Sequence, residues 1–106
     1  MAWVYLILAG VLEVVWAYAM KLSDGFTRIV PTAVMLVGMV GSVVLLALAM
    51  RTLPLGVSYM IWTGIGAVGA FIVGIVYLGE TASALRLAAA GLILAGIVLM
   101  KLSAEH

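Results

Sequence analysis

Charged side chains are so sparse along this chain of 106 residues that they divide it into four long apolar stretches joined by short polar links. Ala2 to Met20 contains one charge, Glu13, and is followed by the polar joint from Lys21 to Arg28. Ile29 to Met50 contains no charge, and Pro31 falls in its first turn, where a missing N–H does no harm. Arg51 and the turn-like Leu53-Pro54-Leu55-Gly56 close it. Val57 to Leu78 is again uncharged and ends at Gly79-Glu80. The fourth stretch becomes long enough when Arg86 and Lys101 snorkel to the interfaces. At about 1.5 Å per residue, each covers a hydrocarbon core of about 30 Å. The pattern predicts an all-α protein with four transmembrane helices in a single domain, residues 1-106, with spans at about 2-20, 29-50, 57-78 and 84-102.

Composition closes off the other classes. The apolar set makes up 68% of the chain and charged residues 8%, so there is too little polar surface for a soluble enzyme. Five scattered cations against four acids form no patch for nucleic acid. Without cysteine there is neither a disulfide framework nor a thiolate nucleophile or metal site. His106 stands alone at the chain end as a tail residue, so no metal and no cofactor is expected. A cleaved signal peptide ending at Ala17-Tyr18-Ala19 is disfavoured, because no Lys or Arg precedes the apolar run and Glu13 interrupts it.

Four spans place both termini and the middle joint on one face of the bilayer. Arg51 and Lys101 lie on that face, and Lys21, Arg28 and Arg86 on the other. Two cations against three give almost no orientation signal. Two readings stay open: the weak bias fixes one orientation, or the chain inserts both ways and two oppositely inserted copies give an antiparallel homodimer. The short length also points to an oligomer.

Glu13 is the outstanding residue. It lies roughly 16 Å into the core, near the midplane. An acidic side chain there costs on the order of 2.5 to 3.5 kcal/mol on insertion scales, and such residues mark ion or proton pathways. A structural ion pair is the competing reading, but the spans offer no Lys, Arg or His within the bilayer to complete one. In a dimer, two Glu13 groups would share one low-dielectric cavity, which a proton or a cation could each satisfy, but poorly together.

Trp16 follows Glu13 on the same helical face and can line the same cavity. Ser42 is the polar group deep in the second span, and a carboxylate across the cavity would supply its hydroxyl with a partner. The third span holds Ser58, Tyr59, Trp62 and Thr63, with Tyr59 and Trp62 on one face, where packing and binding are both open. Trp3, Tyr5, Tyr18 and Tyr77 read as interfacial belt residues. Gly64, Gly66 and Gly69 permit close packing or a bend of the third helix. The fourth span has no polar side chain between Leu87 and Met100. Its small residues Ala89 and Gly96, with Gly91 and Ala95, read as a helix-packing or dimer face.

The stretches Leu12-Glu13-Val14-Val15-Trp16-Ala17, Gly25-Phe26-Thr27-Arg28 and Tyr59-Met60-Ile61-Trp62-Thr63-Gly64-Ile65-Gly66-Ala67 resemble the small multidrug resistance (SMR) transporters over nearly the whole chain. Trp16 directly after Glu-Val-Val, and the Trp-Thr-Gly-Ile-Gly-Ala run, are similar to the guanidinium exporter subtype. The quaternary ammonium exporters typically have Gly at the Trp16 position. Val57, Ser58 and Met60 depart from the subtype, which more often has Thr, Ala and Ala there.

The resemblance implies a multi-pass protein of the cell inner (plasma) membrane, working as an antiparallel dual-topology homodimer. It implies proton-coupled export of guanidinium or alkylguanidinium by alternating access at a shared Glu13 pair. Trp16 and Ser42 would position that carboxylate, with Trp62 as a cavity-lining donor and Tyr59 as a switch residue. Met39 and Val43 would line a lateral portal for alkyl tails. Export of quaternary ammonium or other lipophilic cations is the first alternative, and a structural subunit of a membrane complex is the second.

Overall fold

The computed structural model describes residues 1–104, so Glu105 and the tail residue His106 lie outside the described part. Four helices follow in chain order: α1 (Ala2–Leu22), α2 (Ile29–Ala49), α3 (Leu55–Leu78) and α4 (Ala84–Ala104). Each is long and apolar enough to cross a membrane.

The helices match the four expected spans and depart from them at the ends. α3 starts at Leu55 because Pro54 takes an extended conformation as its N-cap, and its carbonyl accepts the Ser58 N–H at 3.0 Å. Leu55 and Gly56, expected in a turn, therefore form the first helical turn. α1 continues through Lys21 and Leu22 beyond the expected limit. At the other end of the chain α4 runs to Ala104, past the expected Leu102.

The joint between α1 and α2 is organised by Ser23, which is fully buried. Its hydroxyl donates to the Met20 carbonyl at 2.6 Å and accepts the Phe26 N–H at 3.1 Å. Asp24, Gly25 and Phe26 all adopt positive φ, so the chain reverses within three residues. The Ser23 carbonyl then accepts the N–H groups of Thr27 and Arg28. α3 ends in a left-handed Gly79, with the Glu80 N–H reaching back to the Gly74 carbonyl at 3.0 Å.

α1 is the central helix, packed along both α2 and α3, whereas α2 and α3 touch only briefly. Lipid tails are as apolar as the side chains, so association here depends on close fit at small residues. Gly10 shows this: a Cβ there would lie 2.6 Å from Ile65 Cγ2 and 2.8 Å from Ile65 Cβ. Leu6, Ala9, Leu46, Ala49 and Ile61 form the buried cluster where the three helices meet. α4 packs its backbone beside α3 alone, and no described residue of α4 is buried. Its Lys101 Nζ lies 5.5 Å from the centre of the Trp3 ring.

Candidate functional site

The site is built where α1 meets α3 and α2. Glu13 and Trp16 project from one face of α1. α3 can approach Glu13 because residue 66 is glycine: a Cβ at Gly66 would collide with Glu13 Oε1. α2 approaches Trp16 in the same way, since a Cβ at Gly38 would lie 3.1 Å from Trp16 Cβ. Two glycines on two helices thus bring backbone against the Glu13 and Trp16 side chains.

The polar atoms at this crossing are divided between paired and unpaired. Glu13 Oε1 and Trp16 Nε1 are both buried without a hydrogen-bond partner. A buried polar group left unpaired costs about 1–3 kcal/mol, and more if charged. Glu13 thus offers an unused acceptor and Trp16 an unused donor, one helical turn apart.

Ser42 corrects one expectation. Its hydroxyl donates to the Ala9 carbonyl at 2.6 Å, one turn before Glu13, and not to a carboxylate. A helical carbonyl has a second lone pair free for such a bond. The same oxygen accepts Trp62 Nε1 at 2.9 Å, so Ser42 joins α1, α2 and α3 through one atom. The Trp62 N–H is therefore directed at Ser42. Ser42→Ala would leave the indole N–H without its acceptor and remove a buried bond between helices. A loss of about 1–3 kcal/mol is expected, measured as earlier unfolding of the detergent-purified protein in a denaturant titration.

Tyr59 packs edge-on against Trp62, with ring centres 5.5 Å apart and planes at 61°. Its own side chain is exposed, on the outer side of α3. Met39 is half-buried and Val43 exposed, and they flank Ser42 along α2 away from the buried cluster. α3 runs as one uninterrupted helix through Gly64 and Gly66. Both glycines serve there as points of contact, Gly64 against Ile97 of α4 and Gly66 against Glu13.

On α4, Ala89 and Gly96 are exposed. Gly96 borders an apolar groove of about 740 Å³ between α3 and α4, and a Cβ on it would meet nothing within 4 Å. Among the described residues no group of His, Asp or Glu could hold a metal ion.

Three features of the site were not singled out in the sequence. Gly38 carries no signal beyond its spacing of four from Ser42. Ala9 contributes through its backbone, which no side-chain pattern reveals. Ser58, in the sequence a polar residue of the third span and a departure from the subtype, is fully buried and its Oγ lacks a partner.

The family of the Small Multidrug Resistance protein matches residues 1–93. The chain belongs to the SMR family. Similar SMR proteins include a guanidinium exporter of Yersinia pestis, 56% identical over 103 residues that cover 97% of this chain and 99% of the relative. A guanidinium exporter of Citrobacter freundii is 54% identical over 103 residues, covering 97% and 98% of the two chains. A third, from Salmonella typhimurium (strain LT2), is 56% identical over 105 residues, covering 99% and 100%. SMR membership and four membrane-length helices make this a multi-pass membrane protein of a transporter family, in agreement with the sequence reading that it is no enzyme.

Proposed function

We propose that this SMR protein exports guanidinium and small substituted guanidinium ions in exchange for protons, as an antiparallel homodimer in the cell inner membrane. The observation that carries the reading is the buried, unpartnered Glu13 Oε1 held against Gly66 beside an equally unpartnered Trp16 Nε1. The similarity to guanidinium exporters supports the choice of substrate.

The chemistry follows from what each group can do. Guanidinium is planar, stays charged, and offers only N–H donors, which match a carboxylate in pairs. Two Glu13 groups in one dry cavity cannot both remain charged without a counter-ion. Either two protons or one cation meets that need, so each cycle exchanges one guanidinium for two protons. Trp16 Nε1 is a donor and cannot bind a guanidinium N–H, so its role is to hold the carboxylate. The Ser42 bridge keeps Trp62 and α1 in register with it. Tyr59, beside Trp62, changes its contacts as the helices rearrange, with Gly64 and Gly66 as the positions where α3 yields.

Dimerisation falls to α4. Its backbone packs beside α3 alone, it buries no described residue, and it leaves the groove at Gly96 open, so Ala89 and Gly96 face a second copy. The two-against-three split of cations between the two faces permits the second copy to insert upside down. Met39 and Val43, at the outer side of α2, line the gap through which alkyl tails leave the cavity.

A quaternary ammonium ion has no N–H to give the carboxylate. In proteoliposomes, an excess of guanidinium should suppress uptake far more than an equal excess of a bulky quaternary ammonium ion. Stronger suppression by the quaternary ion would reverse the assignment.

A further inference from the structure

A second carboxylate, Glu80, borders two clefts, one between α1 and α3 and one of about 340 Å³ between α3 and α4 that Arg86 also lines. Glu80 follows the left-handed Gly79, and its N–H is tied to the Gly74 carbonyl, so its side chain folds back over the last turn of α3. The fold-back requires a glycine beneath it. A Cβ at Gly74 would collide with Glu80 Oε1, and the three heavy atoms nearest that position all belong to Glu80.

The carboxylate thereby borders a cleft of about 200 Å³ between α1 and α3, lined also by Ala17, Tyr18, Lys21, Ala70 and Gly74. Ala17 stands one turn beyond Glu13 on α1, and Ala70 one turn beyond Gly66 on α3. The cleft therefore starts about 6 Å from the level of Glu13 and reaches Glu80 about 12 Å from it. An acid at a helix C-terminus is opposed by the helix dipole, whereas a cation there is favoured by both the carboxylate and the free carbonyls of the final turn. Nearby Arg86 gives its Nη1 to the Thr81 carbonyl at 3.0 Å. Lys21 lines the same cleft.

We infer that Glu80 is an outer binding site for a compact cation with N–H donors, which it captures at the mouth of the α1–α3 cleft before transfer to Glu13 or after release from it. The inference rests on the guanidinium export proposed above. In an antiparallel pair the α3–α4 links of the two copies lie on opposite faces, so each mouth of the transporter carries one Glu80. A transporter that presents its central site to both sides in turn thus has the same capturing carboxylate on either side.

The test is initial uptake of guanidinium by proteoliposomes containing wild type, Glu80→Gln, Gly74→Ala or Glu13→Gln, at low and high salt. For an exposed charge, Glu80→Gln should raise KM about two- to fivefold at low salt, with Vmax within about twofold of wild type. The difference should vanish at about 1 M salt, where the screening length falls to about 3 Å. Gly74→Ala displaces the carboxylate without removing it and should raise KM in the same direction. An unchanged KM for Glu80→Gln at low salt overturns the inference, as does a fall in Vmax alone, which would mark Glu80 as a structural stop for α3. The two readings separate cleanly. Active Glu13→Gln protein would overturn the proposed export site, whereas inactive Glu13→Gln with a wild-type KM for Glu80→Gln overturns only the outer site.

Discussion

Glu13→Gln is expected to lower guanidinium uptake at least about 100-fold while leaving a folded protein with the wild-type assembly. The amide has nearly the shape of the carboxyl group and fits the same space against Gly66. It can neither carry a negative charge to meet the cation nor take up and release a proton, so both halves of the exchange stop together. A fully buried cation without a counter-charge costs several kcal/mol, and each 1.4 kcal/mol is tenfold in binding. The check is labelled guanidinium uptake by proteoliposomes, with size-exclusion chromatography confirming that the variant keeps the wild-type assembly. Uptake within a few-fold of wild type would remove Glu13 from the mechanism.

Gly66→Ala is expected to damage transport almost as severely without touching a polar atom. The added methyl would occupy the position of Glu13 Oε1 and come within 2.8 Å of Glu13 Cγ. Either the carboxyl group swings away or α3 withdraws from α1, and both displace the binding group on the scale of an ångström. Misplacement of that size in an active site costs on the order of 100-fold, so a loss of about 10- to 100-fold in transport rate is expected. Gly56→Ala is the matched control, since a Cβ there meets nothing within 4 Å. Equal activity of the two variants in the uptake assay would show that the contact between Gly66 and Glu13 is immaterial.

The contrast between these two residues shows what was legible in the sequence. Glu13 stands out because one charge in a 19-residue apolar run has few explanations, and length alone identifies the four helices. Gly66 could be read only as a place for packing or bending. Its partner depends on how α3 is rotated about α1, which helical spacing within one segment does not fix. Ser42 was legible as a hydroxyl in need of a partner, yet its acceptor is a main-chain carbonyl of Ala9, invisible to any pattern of side chains. The helix ends moved where backbone chemistry overrode composition, as at Pro54, whose extended conformation starts α3 at Leu55. The turn at Asp24, Gly25 and Phe26 looked like a polar joint of the usual kind. Its three positive φ angles depend on the buried Ser23 that holds both sides of it.

α4 presents the opposite case. Its apolar, small-residue composition predicts a helix-packing or dimer face, and within the chain its backbone packs beside α3 alone. In the proposed dimer a second molecule covers the rest of it, an arrangement that the rotation of α4 within one chain does not specify. The near-equal cation count is the feature of the sequence that permits that arrangement.

Guanidinium-driven proton movement in liposomes of the purified protein tests the central claim most directly. With guanidinium added outside vesicles that carry a trapped pH indicator, entering cations should drive protons out, so the interior turns alkaline as label accumulates. Net positive charge should leave with each cycle, because two protons depart for one guanidinium gained. Uptake of guanidinium with no change in internal pH would contradict proton exchange at the Glu13 pair.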